Sequence, residues 1–422
     1  MLNLKYLLEN EDKAKKLLVA KKADMLLVDE LFLIAKQRGK LMSETQLTKS
    51  LISNISKKIP QLKNNPEELE KTKNEVKEIK NKFLELEKQS NEYEKRVNFI
   101  LDRLPNLPLD DVPYGKDEND NKVLKVHDQI GRGLVSGVKP HYKLALELDL
   151  IDIERAVKLS GSRFVMYKKT GAQLIRAIKN FLLDLHTKNG YDEYEIQSLV
   201  KPEILYGTGQ LPKFEEDLFH LNKEDLYLIP TAEVPLTNIY NNEIINLDKP
   251  IRLTAFTECF RSEAGSGGKD TRGIIRLHQF KKVELVKITN EKDSFSEFEE
   301  MLEEAKLALE ELELPYRELL LCTGDLGFSS RKTIDLEVWL PSEMKFREIS
   351  SVSYMGDFQA RRAKIRYKNE NNENVYAYTM NGSGLAIDRL VAAILENYQN
   401  ADGSLTIPKK LVPYMNGITE IK

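Results

Sequence analysis

Cysteine is almost absent: Cys259 and Cys322 are the two thiols in 422 residues, 63 positions apart. That spacing leaves no disulfide framework and no paired-cysteine zinc site, and it fits a reducing cytoplasm. Long apolar runs are missing too. None approaches the roughly 18 to 20 residues a membrane helix requires, so no membrane partner is expected. Met1-Leu2-Asn3-Leu4-Lys5 is not a basic stretch leading into an apolar one, which argues against a secretion signal. The five histidines (His127, His141, His186, His220 and His278) have no ligand spacing, and no HExxH occurs. Gly267-Gly268-Lys269 is followed by Asp270, and Glu263 stands where a Walker A loop needs its first glycine. Ile387 breaks a dinucleotide fingerprint at Gly382-Ser383-Gly384. No GxSxG nucleophile elbow is apparent with a partner. Hydrolase and dehydrogenase chemistries lose their usual signatures.

What is present is charge, unevenly distributed. Residues 1–105 hold 22 Lys+Arg against 17 Asp+Glu, whereas the remainder holds 42 against 50. A basic-leaning front suits either contact with a polyanion or a solvated lysine-rich helix. A heptad stripe runs Leu69, Val76, Phe83, Ser90, Val97, Leu104, with Thr72, Ile79, Leu86, Tyr93, Ile100 as its second series. Nine of these eleven are apolar, which is the 3.5-residue period of a coiled-coil seam. A weaker stripe extends from Leu27 to Ile59. Between them Pro60 and Pro66 flank two asparagines, and Pro66-Glu67-Glu68 reads as a helix start. The spacing predicts an antiparallel helical hairpin, fit either for contact with a polyanion or for dimerisation. Leu104-Pro105-Asn106-Leu107-Pro108 ends the stripe, so domains are expected at 1–108 and 109–422.

Beyond about residue 125 helical spacing at 144–159, 172–189, 296–312 and 384–398 alternates with strand-like stretches. These are Ile274–Phe280, Val283–Ile288, Thr333–Leu340, Phe346–Ser353 and Lys364–Tyr367. Strands with helices segregated between them indicate α+β with an antiparallel sheet. Three of the stretches carry unusual polarity. Phe260-Arg261-Ser262-Glu263 precedes the glycine-rich Gly265-Ser266-Gly267-Gly268. A strand would put Arg261 and Glu263 on one face, and Arg261 offers a planar fork for phosphate. Arg347-Glu348-Ile349-Ser350-Ser351 supplies hard oxygens suited to Mg²⁺. Asn381-Gly382-Ser383-Gly384 leads to an apolar helix carrying Arg389.

In this order behind a long hairpin, these segments resemble the motifs of class II aminoacyl-tRNA synthetases and, more narrowly, the seryl-tRNA synthetase family. The likeness extends through Tyr206–Phe214, Thr231–Asn238, Thr271-Arg272-Gly273, His278-Gln279-Phe280 and Asp357–Arg362. It implies a six- or seven-stranded antiparallel sheet flanked by helices, a homodimer, and a cytoplasmic ligase that joins serine to ATP and then to serine tRNA. Selenocysteine tRNA stays open as a second acceptor. The matching positions imply that Arg261 bridges the serine carboxylate and the α-phosphate. Ser262 and Glu263 border ATP, with Glu348, Ile349, Ser350 and Ser351 lining the nucleotide, and Arg389 meets the γ-phosphate. Glu348 and Ser351 hold Mg²⁺, and Arg261, Glu348 and Arg389 carry catalysis. Thr231, Ala232, Glu233, Glu284 and Ser383, with Arg261, form the amino-acid pocket. Two positions depart from the pattern: Gln197-Ser198 stands where motif 1 ordinarily has proline, near the dimer interface, and Ser353-Tyr354-Met355 alters a stretch near the pocket. Two other readings are a synthetase-like ligase that loads a carrier protein and a catalytically inactive RNA-binding regulator. Retention of the hairpin argues against the first; retention of Arg261, Glu348, Ser351 and Arg389 argues against the second.

Overall fold

The computed structural model describes residues 1–62, 65–264 and 273–422. It divides into two units, Leu2–Pro105 and Asn106–Lys422. Gly265–Gly268, Thr271 and Arg272, named above, lie outside the described residues.

The first unit has two short helices, α1 (Leu4–Glu9) and α2 (Glu11–Ala20), which periodicity alone did not reveal, and two long ones, α3 (Met25–Ser56) and α4 (Pro66–Leu101). Each start is chemically marked. Asp24 accepts the Leu26 N–H at the head of α3, and α4 opens with Pro66 in its first turn behind the Asn65 cap. With 32 and 36 residues, each leg is about 50 Å long. From Leu69 to Ile100 every stripe residue is buried or half-buried, while the positions between are mostly exposed. Where the seam is less apolar, ions cross it: Arg96 grips Glu30 through two 2.7 Å bonds, and Arg38 lies 3.3 Å from Glu94. These pairs select one register, because sliding either leg by a residue would separate them.

The second unit is α+β. Eight strands, β1 (Lys122–His127), β2 (Asp192–Glu193), β3 (Ile251–Phe260), β4 (Gln279–Thr289), β5 (Tyr316–Leu320), β6 (Lys332–Leu340), β7 (Lys345–Gly356) and β8 (Tyr378–Ala386), form one sheet. Their order is β1-β5-β6-β7-β8-β4-β3-β2, one or two strands more than the family resemblance implied. All neighbours are antiparallel except β2 and β3. Helices α5 (Thr170–Lys188), α6 (Glu233–Asn238), α7 (Ser294–Glu311), α8 (Phe358–Ala363) and α9 (Ile387–Asn397) flank it. The main core joins Leu174, Ile178 and Leu182 of α5, Met301 and Leu309 of α7, and Leu390 and Ile394 of α9 to Leu285, Leu336 and Val352. Among the described residues no helix is long and apolar enough to cross a membrane.

Four expectations shift. Ile274, Ile275 and Leu277 are buried but irregular; the strand starts only at Gln279, since Ile274 gives its N–H to His141 Nε2 (3.3 Å) and not to a neighbouring strand. The helix expected over 144–159 splits into His141–Glu147 and Ile153–Ser160 around Asp149, whose φ is +56°. Asn381–Gly384 lies inside β8, so the following helix begins at Ile387 and not at Gly384. Lys364 ends α8 in the left-handed region, and its strand starts at Arg366. Gly384 is needed for space: a Cβ there would stand 2.7 Å from His186 Nε2, which bonds the Gly384 carbonyl. Burial pushes His186 down to about 4, so it holds this strand as a neutral ring.

Phe32 of α3 is 2% exposed and lies 5.1 Å beneath the Lys15 ammonium of α2. Phe32→Ala is expected to destabilise the helical unit by about 3–5 kcal/mol, measured by urea unfolding followed through helical circular dichroism. A loss below about 1 kcal/mol would contradict this packing.

Candidate active site

The polar residues singled out from the sequence converge on one side of the sheet. A cavity of about 620 Å³ is lined by Thr231, Glu233, Arg261 and Asn381, and one of about 760 Å³ by Asp335, Glu348, Ser351 and Arg389. A narrow passage of about 70 Å³ joins their linings: Arg261 and Glu263 border it and the first cavity, Glu348 and Arg389 border it and the second. Arg276 borders all three, a residue that sequence reasoning passed over.

The first cavity presents the Glu233 carboxylate, with Glu284 fully buried behind the lining residues Thr231 and Asn381. Glu284 and Lys282 alternate on β4 and so share a face; they form a buried ion pair. Glu284 also accepts from Thr231 Oγ1 (2.8 Å) and Asn381 Nδ2 (3.2 Å). Glu233, in the first turn of α6, gives its N–H to Thr231 Oγ1 (3.2 Å) and accepts from Gln359 Nε2 (2.7 Å). Burial, then the nearby Glu284 charge, pushes Glu233 up to about 7. Ala232 points away: its side chain is fully buried in an apolar cluster with Leu236 and Leu253, so it meets a ligand only through its backbone. Ser383 borders the narrow passage, and its carbonyl accepts the Ser350 hydroxyl (2.7 Å).

Arg261 is not in a strand. β3 ends at Phe260, although the Arg261 N–H still bonds the His278 carbonyl (2.9 Å), which prolongs the pairing by one residue. Its guanidinium lies 5.1 Å from the Phe280 ring. Strand alternation therefore does not place Glu263, whose φ is +55°; its carboxylate turns to Arg276 (2.6 Å). Ser262 is held by the 215–217 turn, its N–H on Asp217 O (3.0 Å) and its hydroxyl on Glu216 O (2.6 Å).

On β7, Glu348 and Ser351 stand three apart, which in a regular strand would put them on opposite faces. A bulge solves this. Glu337 pairs with Glu348 and Leu336 with Ser350, so Ile349 is the extra residue, and Glu348 and Ser351 come to line one cavity. Ile349 is buried in the core and the Ser350 hydroxyl is spent on Ser383, so any nucleotide contact by these two is through the backbone. Arg389 reaches back from α9 to Glu348, 2.6 Å from its carbonyl and 3.3 Å from its carboxylate, and donates to Ile275 O (3.3 Å). The Glu348 side chain is 49% exposed to the cavity, and although desolvation by the surrounding protein opposes its charge, Arg389 and Arg261 outweigh it and hold that carboxyl below the ordinary range. Asp335, paired with Ser351 across the sheet, was missed in the sequence because a lone aspartate in a strand carries no motif. Burial and the Glu348 charge push it well above the usual range, and its Oδ1 is buried without a hydrogen-bond partner among the described residues. No three His, Cys, Asp or Glu side chains among the described residues are grouped to hold a metal alone. A cation here would complete its shell from a ligand's phosphates, as Mg²⁺ commonly does. Of the two residues flagged as unusual, Tyr354 turns away to Ser294 (2.9 Å) and the Phe295 and Phe298 rings, whereas Met355 lines the first cavity.

Comparison with known proteins gives this geometry its family. Residues 1–108 match the seryl-tRNA synthetase N-terminal domain, and residues 213–398 the tRNA synthetase class II core domain (G, H, P, S and T). A curated serine–tRNA ligase of Mycoplasmopsis agalactiae is 61% identical, with 98% of each chain covered. One from Staphylococcus haemolyticus is 48% identical over 100% of this chain and 99% of its own. The crystal structure of seryl-tRNA synthetase from Pyrococcus horikoshii complexed with ATP superposes with a TM-score of 0.95 at 34% identity, covering 100% and 99%. The chain belongs to the seryl-tRNA synthetases, in class II of the aminoacyl-tRNA synthetases.

Proposed function

We propose that this protein is a serine–tRNA ligase whose two cavities divide the substrates, serine in the carboxylate pocket and ATP beyond the narrow passage. The observation that carries this reading is Arg261, which like Arg276 borders both the pocket and the passage, while Arg276 is engaged by Glu263 (2.6 Å). A guanidinium there faces the serine carboxylate on one side and the α-phosphate on the other. It gathers two anions that would repel each other and stabilises the charge that builds at phosphorus.

In the first step a serine carboxylate oxygen bonds to the α-phosphorus while the bond to the bridging oxygen breaks, and pyrophosphate leaves. Arg389 offers its charge to the distal phosphates, Glu263 borders the adenine end, and the backbone of Ile349 and Ser350 lines the nucleotide. Glu348 and Ser351, with Asp335 beside them, fit Mg²⁺: the donors are hard oxygens, and one buried carboxylate oxygen of Asp335 has no hydrogen-bond partner among the described residues. When bound, the ion would screen phosphate charge. In the second step a hydroxyl oxygen of the terminal ribose of serine tRNA bonds to the activated carbonyl carbon, and AMP leaves.

The pocket's acceptors suit a substrate with an ammonium and a hydroxyl. Thr231, Glu233, Glu284 and Ser383 surround the amino acid, and alanine would leave buried acceptors unpaired. The helical unit, with an excess of five positive charges over residues 1–105, lies along tRNA by phosphate and sugar contacts. Serine tRNA is its partner, and selenocysteine tRNA is a further acceptor of the same shape. The enzyme acts as a homodimer in the cytoplasm, where its two free, buried thiols stay reduced.

Among the twenty amino acids, serine alone should drive exchange of label between pyrophosphate and ATP. Failure with serine, or exchange driven by another amino acid, overturns the assignment. Deleting residues 30–100 should spare this exchange and abolish tRNA charging, measured side by side on one preparation. Equal loss of both activities would contradict the division of labour.

A further inference from the structure

Glu233 and Glu284 are unequally matched in the pocket. Glu284 has a cation, Lys282, and donors on both oxygens. For Glu233 the donor on its carboxylate is neutral: Gln359 Nε2, at 2.7 Å from Oε1. Gln359 is 1% exposed and comes from α8, a segment to which the sequence reading gave no role. Its amide is fully committed. Nε2 also donates to the Thr208 carbonyl (3.2 Å), and Oε1 accepts from Thr379 Oγ1 (2.6 Å) on β8. Both partners of Nε2 are acceptors, so the amide cannot be turned over without facing oxygen to oxygen. Thr379 has a single hydroxyl hydrogen, and the fully buried side chain gives it to Gln359.

We infer that Gln359 is a positioning residue for the amino-acid substrate: anchored by Thr379 and Thr208, it holds one oxygen of Glu233 and leaves the other to take the substrate ammonium. The inference rests on the serine reading of the pocket. Its physical content is a charge state. A donated hydrogen bond favours the carboxylate, against burial and the Glu284 charge that favour the neutral acid. Without the donor, Glu233 would keep its proton at neutral pH and offer the ammonium a poorer partner. The groups facing Glu233 are Glu284, Lys282 and Arg261, and none of them belongs to α6. Serine capture requires the ionised form, so kcat/KM for serine rises with pH through the Glu233 transition and is lost below it.

The test is the pH profile of serine-dependent ATP–pyrophosphate exchange in the full-length protein. Gln359→Glu keeps the shape but sets an acid against an acid. It should raise KM for serine at least tenfold at pH 7, leave KM for ATP within twofold, and move the acid limb of kcat/KM for serine to higher pH. Thr379→Val, which removes only the anchor, should shift the same limb by less, with KM for serine up about threefold, an effect of roughly 0.7 kcal/mol. A change confined to overall activity, with the limb unmoved in both variants, overturns the proposal, because a merely structural role lowers rate at every pH. If Gln359→Glu does not fold, as judged by circular dichroism, Thr379→Val decides alone: an unchanged limb overturns the inference. Absence of exchange in the unaltered protein would instead overturn the serine reading itself.

Discussion

Among the described residues two buried carboxylates, Glu233 in the pocket wall and Glu284 behind it, have one paired cation between them, Lys282, and much of the active-site architecture follows from that imbalance. Glu284 is neutralised by Lys282 and fixed by Thr231 and Asn381. Among the described residues Glu233 forms no ion pair, and it sits near 7. A buried, uncompensated acid is costly, so the cost is limited by a neutral donor, Gln359, and by the prospect of a ligand's ammonium. On the proposed reading, the pocket selects an amino acid because it is incomplete without the ligand's ammonium.

The same logic extends toward the nucleotide side. Arg261 and Arg389 both lower Glu348, so the acidic group stays charged next to the cations that would receive phosphate. Asp335, paired with Ser351 on the neighbouring strand, is pushed the other way by burial and by Glu348. The two carboxyls of this cavity are thus shifted in opposite directions, Glu348 down by its arginines and Asp335 up by burial and by Glu348.

Much of this was legible in the sequence, unevenly. The helical hairpin was the easiest part, because a 3.5-residue period over five heptads depends only on local packing; the stripe from Leu69 to Ile100 is buried as its spacing requires. Helices α1 and α2 were too short to show a period. Glu348 and Ser351 could be named from their motif, but their common face could not, since it depends on the extra residue at Ile349. Arg261 and Glu263 were expected on one strand face, yet the strand ends first and a left-handed residue turns Glu263 to Arg276. Gln359, inside a stretch that carries the resemblance, and Asp335 and Arg276 showed no role because theirs come from contacts across 126, 16 and 13 residues of chain. A tertiary partner, not a local pattern, defines them.

In the proposed capture of serine, the substrate ammonium completes the charge of Glu233. Calorimetric titration of serine into the protein with a non-hydrolysable ATP analogue, repeated in buffers of different ionisation enthalpy, counts the protons exchanged. With Glu233 near 7 before binding, release of about half a proton per serine at pH 7 is expected, falling toward none as the pH is raised well above it. Binding heats independent of the buffer at pH 7, or proton uptake, would contradict it.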